Sequence, residues 1–171
     1  MSSLPNAAGP RVLIVQPALP AYRKDLFGRL ARHFGSRFSV FTSRQGELGI
    51  LEGAGSLPDY AVEIGAVRRL FRGGYWQVGA LSIPLQRGDL LVLGGSARAL
   101  TTPLLIMKAR LKGARVMWWG QYWSSTSTPF GAALRQVMMA RADGIVFYTE
   151  REIADYKSAG RHCNAAQLAG A

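Results

Sequence analysis

The chain has 171 residues, 49% of them apolar, which is enough for one domain with a sizeable core. The lone cysteine, Cys163, excludes an intramolecular disulfide, and with only His33 and His162 beside it a structural zinc site is not expected. A formal charge of +11 points to anionic partners, and no apolar run approaches the roughly 20 residues needed to cross a bilayer.

The charge is uneven. Residues 1–46 hold seven basic residues and one acidic one, 47–63 four acidic and none basic, 64–141 eleven basic and one acidic, and 142–171 three basic and four acidic. Arginine dominates, seventeen against four lysines, which suits bidentate phosphate contacts but equally fits a high-GC genome.

Residues 1–10 lack the charged start and apolar centre of a signal peptide and are expected to be a disordered leader. Val12–Val15 is a buried type of strand. The loop after it, Gln16-Pro-Ala-Leu-Pro-Ala-Tyr-Arg23, has none of the glycines of a dinucleotide fingerprint or a P-loop. A helix over about 23–34 follows, with Leu26, Phe27, Leu30, Ala31 and Phe34 as its inner stripe. Arg29, Arg32 and His33 lie off that stripe, as a solvated face or as a docking surface for anionic lipid. Residues 38–42 read as a strand, 46–59 as a mobile loop and 60–64 as a third strand. Residues 67–71 read as a short strand or turn, with Arg68, Arg69 and Arg72 outward and Gly73 and Gly74 as its break. Residues 76–85 are ambiguous between strand and short helix.

The most legible stretch runs from Asp89 to Gly160. Apolar runs at 90–93, 116–119 and 145–148 alternate with helical patterns, and none alternates apolar with polar. That is how parallel strands covered on both faces read. Thr102 is a candidate cap with Pro103 at the first helical position and Gly113 at the stop. Thr128 and Pro129 repeat the device before a helix with Phe130, Ala133, Leu134, Val137 and Met138 as its stripe. Thr149 and Glu152 form a capping box, and Gly160 ends that helix. No strand is expected in the tail, 161–171. The prediction is an α/β, Rossmann-like, doubly wound, mostly parallel sheet with helices on both faces, as a single domain over 11–160.

Ligands of such sheets bind beyond the carboxyl ends of the strands. The candidates there are Tyr22 and Arg23, Gly94 and Gly95, Gln121, Tyr122 and Trp123, and Thr149 and Glu150. Arg23 either holds a phosphate near the helix's positive end or pairs with Asp25. The glycines admit a ligand or simply make a turn. Tyr122 and Trp123 offer faces for a sugar ring or a lipid chain, whereas Trp118 and Trp119 are expected inside the sheet. The hydroxyls of 124–128 either hydrogen-bond an acceptor or make a mobile lid ending in a cap, and Thr149 and Glu150 are equally helix-start residues.

Three pieces, in order, carry a resemblance. They are 12–23 ending in Pro-Ala-Tyr-Arg, then Val116-Met-Trp-Trp-Gly-Gln121, then Arg141-Ala-Asp-Gly-Ile-Val-Phe-Tyr-Thr-Glu150 before a helix ending at Gly160. Together they resemble the N-terminal, acceptor-side half of a GT-B glycosyltransferase of glycosyltransferase family 4, over roughly 11–160. The resemblance implies retaining transfer of a sugar from a nucleotide-sugar to a sugar or lipid-linked acceptor. It implies no cofactor beyond that donor as co-substrate, and a C-terminal donor domain that supplies paired glutamates seven residues apart. No glutamates of this chain have that spacing, so the chain alone is expected not to turn over a sugar nucleotide. Many relatives have histidine near the Trp-Gly position. Gln121 stands there, and it can position a hydroxyl but not take its proton near neutral pH.

A cytoplasmic location, with peripheral contact to an anionic membrane surface on its inner face, would fit the charge. The rival readings are a non-catalytic binding or partner subunit and a basic nucleic-acid-binding domain. Specific nucleic-acid recognition is not expected, because no recognition motif or basic–aromatic array is present.

Overall fold

The computed structural model describes residues 9–43, 56–70, 73–123, 128–160 and 168–170. Most of the leader, most of the 46–59 loop, Arg72, residues 124–127, His162 and Cys163 lie outside the described residues.

Nine strands and four α-helices are seen among the described residues. They are β1 (Val12–Val15), α1 (Lys24–Phe34), β2 (Phe38–Thr42), β3 (Ala61–Glu63), β4 (Val67–Arg69), β5 (Tyr75–Gln77), β6 (Leu90–Gly94), α2 (Thr101–Lys112), β7 (Arg115–Trp119), α3 (Pro129–Met139), β8 (Gly144–Phe147), α4 (Glu150–Ser158) and β9 (Leu168–Gly170). Seven strands form one sheet in the order β3-β2-β1-β6-β7-β8-β9, each paired in parallel with its neighbour. This is the Rossmann-like sheet expected from the sequence. Its winding reverses between β1 and β6, which lie side by side although their starts, Val12 and Leu90, are 78 positions apart in the chain. β4 and β5 make a separate antiparallel hairpin, so 67–69 is strand, while 76–85 splits between the end of β5 and a single 3-10 turn over Ala80–Ser82. β9 is a departure. It pairs with β8 where no strand was expected, because Leu-Ala-Gly carries no β-rich signal and edge pairing needs only backbone.

Alternate residues of each strand serve opposite faces. One face buries Leu13, Leu91, Leu93, Val116, Trp118, Ile145 and Phe147 under α2, α3 and α4, which supply Leu105, Met138, Met139 and Tyr156. The other buries Val12, Ile14, Val40, Val92 and Trp119 around Phe27 of α1, which is fully enclosed. Full burial of one such side chain contributes about 1.5–3 kcal/mol.

Three helix details differ from the sequence reading. In α1, Leu26 is exposed at the edge of the stripe. In α2, Thr102 is the second helical residue rather than the cap, and the helix starts from Leu100 without a side-chain cap. The preceding turn hooks onto the hairpin through Leu100 N–H to Tyr75 O at 3.0 Å, and that sets the earlier start. Pro103 still costs nothing there, since the first four N–H groups of a helix have no internal partner. In α3, Thr128 caps through Gly131 N–H at 3.1 Å with Pro129 first, as expected, but the buried face is rotated. Arg135, Met138 and Met139 face inward, while Phe130 and Val137 are exposed. Arginine's apolar stem lets position 135 serve as core, which apolar counting alone misses.

The foot of the sheet is clamped across the reversal. Arg11 donates from Nε and Nη2 to the two carboxylate oxygens of Asp89 at 2.9 and 2.6 Å, and Gln86 N–H donates to Oδ2 at 2.7 Å. Burial disfavours the Asp89 charge, but the hydrogen bonds from Arg11 and Gln86 and the arginine's charge outweigh it and hold the pKa below the ordinary value. A depressed folded-state pKa adds stability that is present above the unfolded value of about 3.9 and lost as pH falls through the folded one. Asp89→Asn should therefore cost on the order of 2 kcal/mol at neutral pH, since the 30% exposed Arg11 side chain can rehydrate. Urea melts from pH 7 to 2 should show the variant's deficit shrinking below about pH 4. A deficit that does not change with pH would mean the pair contributes no charge-dependent stability.

Candidate functional site

The carboxyl ends of the strands on both sides of the reversal open a cleft of about 490 Å³. Gln16 and Pro17 come from the end of β1, Tyr22 and Arg23 from the turn entering α1, and Gly94, Gly95 and Ser96 from the end of β6. Trp119, Gly120 and Gln121 come from β7, Tyr148 from β8, and Tyr75 from the hairpin. This is where a sheet wound both ways from its middle leaves a gap between diverging crossovers.

Arg23 is the centre of the cleft's polar network. Its Nη1 donates to Gln16 Oε1 at 2.7 Å and its Nη2 to the Tyr148 hydroxyl at 2.6 Å. The guanidinium lies over the Trp119 ring, 4.6 Å from the centroid, and 5.5 Å from that of Tyr22. Asp25 pairs instead with Arg29 one turn on, so the competing Arg23–Asp25 pairing is not formed. Among the described residues no carboxylate pairs with Arg23, and neither a carboxylate nor a histidine lines the cleft.

Because Gln16 Oε1 is committed to Arg23, its amide nitrogen is turned away. Nε2 is buried and has no hydrogen-bond partner among the described residues, and the same is true of the Trp119 indole N–H. Both groups sit on residues that line the cleft and are nine-tenths or more buried. Both atoms are themselves enclosed, so a ligand in the cleft meets them only when the Gln16 or Trp119 side chain shifts, and an unpaired buried donor costs about 1–3 kcal/mol, which such a shift would recover.

The cleft's wall is backbone. Gly95 N–H donates to Trp119 O at 2.7 Å and Gly120 N–H to Val146 O at 3.0 Å, which carries the ladder past the strand ends. Gln77, buried in the hairpin, donates from its amide to Gln16 O at 2.8 Å and to Ser43 Oγ at 3.0 Å. The hairpin thus braces the Gln16 backbone and brings Tyr75 to the rim. Burial pushes the Tyr75 hydroxyl above its ordinary pKa, against a hydrogen bond with Ser96 and the charge of Arg98, so it stays a neutral donor.

Of the nine candidates read from the sequence, the structure brings together Tyr22, Arg23, Gly94, Gly95 and Gln121. It does not bring the other four to the cleft. Tyr122 packs edge-on against Phe147 and Tyr156, within the layer under α4. Trp123 is 59% exposed and outside the lining. Thr149 caps α4, accepting from Glu152 N–H, and Glu150 is an exposed first-turn residue. The sequence reading missed Gln16, Tyr75, Ser96, Tyr148 and above all Trp119, which was assigned wholly to the sheet. Gln16 had a usable signal, since it is the polar residue directly after a buried strand. Glu152 was read as half of a capping box. Its carboxylate accepts from Tyr122 N–H at 3.0 Å and Tyr148 N–H at 3.2 Å, so it ties the loops after β7 and β8 together.

No group of three His, Cys, Asp or Glu among the described residues is placed to hold a metal ion. No helix among them is long and apolar enough to cross a membrane. The sequence matches no protein-family model, and no curated protein is significantly similar to it.

Proposed function

We propose that the cleft is the acceptor site of a glycosyltransferase-like lobe, the N-terminal half of a GT-B arrangement of the family 4 kind. One observation carries the reading. Four strand-end loops converge on a single cleft lined by an arginine, side-chain amides and hydroxyls, with no carboxylate or histidine among the described lining residues to act as a general base. A saccharide offers hydroxyl oxygens to Gln16 Nε2 and the Trp119 N–H, and an apolar ring face to the exposed Tyr22. An acceptor joined to a lipid through phosphate would place that anion at Arg23.

The nucleotide-sugar donor belongs to a second lobe across the cleft. In the transfer, the bond from the sugar's anomeric carbon to the nucleotide breaks and the nucleotide leaves with the electron pair. The acceptor hydroxyl oxygen bonds to that carbon and gives up its proton to the phosphate oxygen of the departing nucleotide, the one base the reaction itself supplies. The residues of this cleft hold and orient the hydroxyl, Gln121 included, and take no proton near neutral pH. This leaves a partner subunit that only binds saccharide as the second reading, supported by the same lack of a base.

Side-chain amide and indole N–H signals give the test. Titrating the chain with short-chain polyprenyl-diphosphate saccharides should saturate and shift the Gln16 Nε2 and Trp119 Nε1 resonances, while the chain alone gives no transfer from any nucleotide-sugar. Turnover by the purified chain would overturn the half-enzyme reading. Shifts produced by nucleotides or nucleic acid but by no saccharide would overturn the acceptor reading. Turnover that appears only on adding a separate donor lobe would distinguish an enzyme half from a binding subunit.

A further inference from the structure

From 90 to 142 the chain contains seven basic residues and no acidic one. This stretch builds β6, α2, β7 and α3, with both helices on the same face of the sheet. Their outer surface is not the polar face expected of helices that pack on one side only. Met107 and Leu111, one turn apart on α2, are 55% and 80% exposed. Phe130 and Val137, two turns apart on α3, are 79% and 49% exposed. The helices meet at their feet, where Arg110 Nη2 donates to Arg141 O at 2.7 Å. Arg110, Lys112 and Arg141 are exposed there.

We infer that the outer face of α2 and α3 is a docking surface for an anionic lipid bilayer. The charge decides the occupant. Two copies of this face would bring like charges together, with no acidic residue on either helix to relieve them. A bilayer with anionic headgroups complements the arginines and lysine, while the apolar side chains enter the headgroup–acyl boundary. The α1 surface, expected from the sequence as an alternative, lacks that pairing of features. Arg29 is tied to Asp25 there, and Leu26 is the only exposed large apolar residue within the helix. The start of α3 lies at the end of the sheet that bears the cleft, since α3 follows the carboxyl end of β7. The inference stands whether or not the cleft's ligand is a saccharide.

Vesicle co-sedimentation separates insertion from plain charge attraction. The full chain should bind vesicles of phosphatidylcholine mixed with phosphatidylglycerol and leave phosphatidylcholine vesicles largely free. The double variant Leu111→Ser/Phe130→Ser keeps every charge, and both sites are exposed enough for the fold to stand, which circular dichroism checks. Its affinity for the mixed vesicles should fall about tenfold or more. Arg110→Glu/Arg141→Glu should fall by a similar factor, and Arg29→Glu/Arg32→Glu on α1 by much less. No binding to mixed vesicles, unchanged binding by the Leu111/Phe130 variant, or loss in the α1 variant alone would each overturn the inference. So would a dimer of the native chain that the Leu111/Phe130 variant dissolves.

Discussion

Arg23→Ala is expected to weaken ligand binding in the cleft about a hundredfold, which corresponds to about 2.7 kcal/mol. Among the described residues Arg23 is the only cation lining the cleft, and its hydrogen bonds to a charged or hydroxyl-rich ligand are of the stronger, charge-assisted kind. The variant also loses the contact over Trp119 and frees Gln16 Oε1 and the Tyr148 hydroxyl, so Gln16 can turn and lose the orientation that presents its N–H groups. Arg23→Lys tests which part matters. Lysine keeps the charge but cannot span Gln16 and Tyr148 at once, so it should recover no more than about tenfold of the loss. Stability should change little, because Arg23 lies half-buried at the rim and its two partners are then open to water. The amide and indole titration used for the proposed function reads the loss directly. Wild-type affinity in Arg23→Ala would remove the guanidinium from the site and leave the acceptor reading without its anchor.

How far that site could be read in advance depended on the kind of signal each residue carries. The sheet was legible because 90–93, 116–119 and 145–148 have no polar alternation and Gly113, Thr128 and Thr149 punctuate the chain between them. The rotated face of α3 was not legible. Residues 130–139 contain two overlapping apolar stripes, and the choice between them is made by packing of Met138 and Met139 against the sheet. Trp119 is buried in the sheet as expected, but its second place, at the cleft, was missed for a similar reason. Period-two alternation says which face of β7 it serves but not that the strand ends there, level with the cleft. Tyr75 was out of reach altogether, because a hairpin in the crossover carries it to the cleft and only Gln77 and the Tyr75 backbone say where that hairpin docks. Arg23, by contrast, was found because a cation at the start of the first helix has one short list of neighbours, even though its rival partner Asp25 turned out to be taken.

Gly94 and Gly95 are adjacent in sequence and were read alike, yet alanine should separate them sharply. A Cβ on Gly95 would stand 2.7 Å from the Gly120 Cα and 2.8 Å from the Trp118 indole nitrogen, and one on Gly120 would stand 2.7 Å from the Gly95 Cα. Backbone lies on one side and a fully buried ring on the other, so neither neighbour can move cheaply. β6 and β7 would have to part at their cleft ends, straining the 2.7 Å bond from Gly95 N–H to Trp119 O. Overpacking of that kind together with a weakened hydrogen bond should cost about 2–4 kcal/mol for Gly95→Ala or Gly120→Ala. At Gly94 the nearest atoms are 3.6 Å away, ordinary contact distance, so Gly94→Ala should stay within about 0.5 kcal/mol. The double variant Gly95→Ala/Gly120→Ala should cost clearly less than the sum of the singles, because strands parted for one methyl already have room for the other. Urea unfolding of the four variants measures all of this. Additive costs at Gly95 and Gly120, or a Gly94→Ala as damaging as its neighbour, would show that the two strand ends do not pack against each other to form the wall of the cleft.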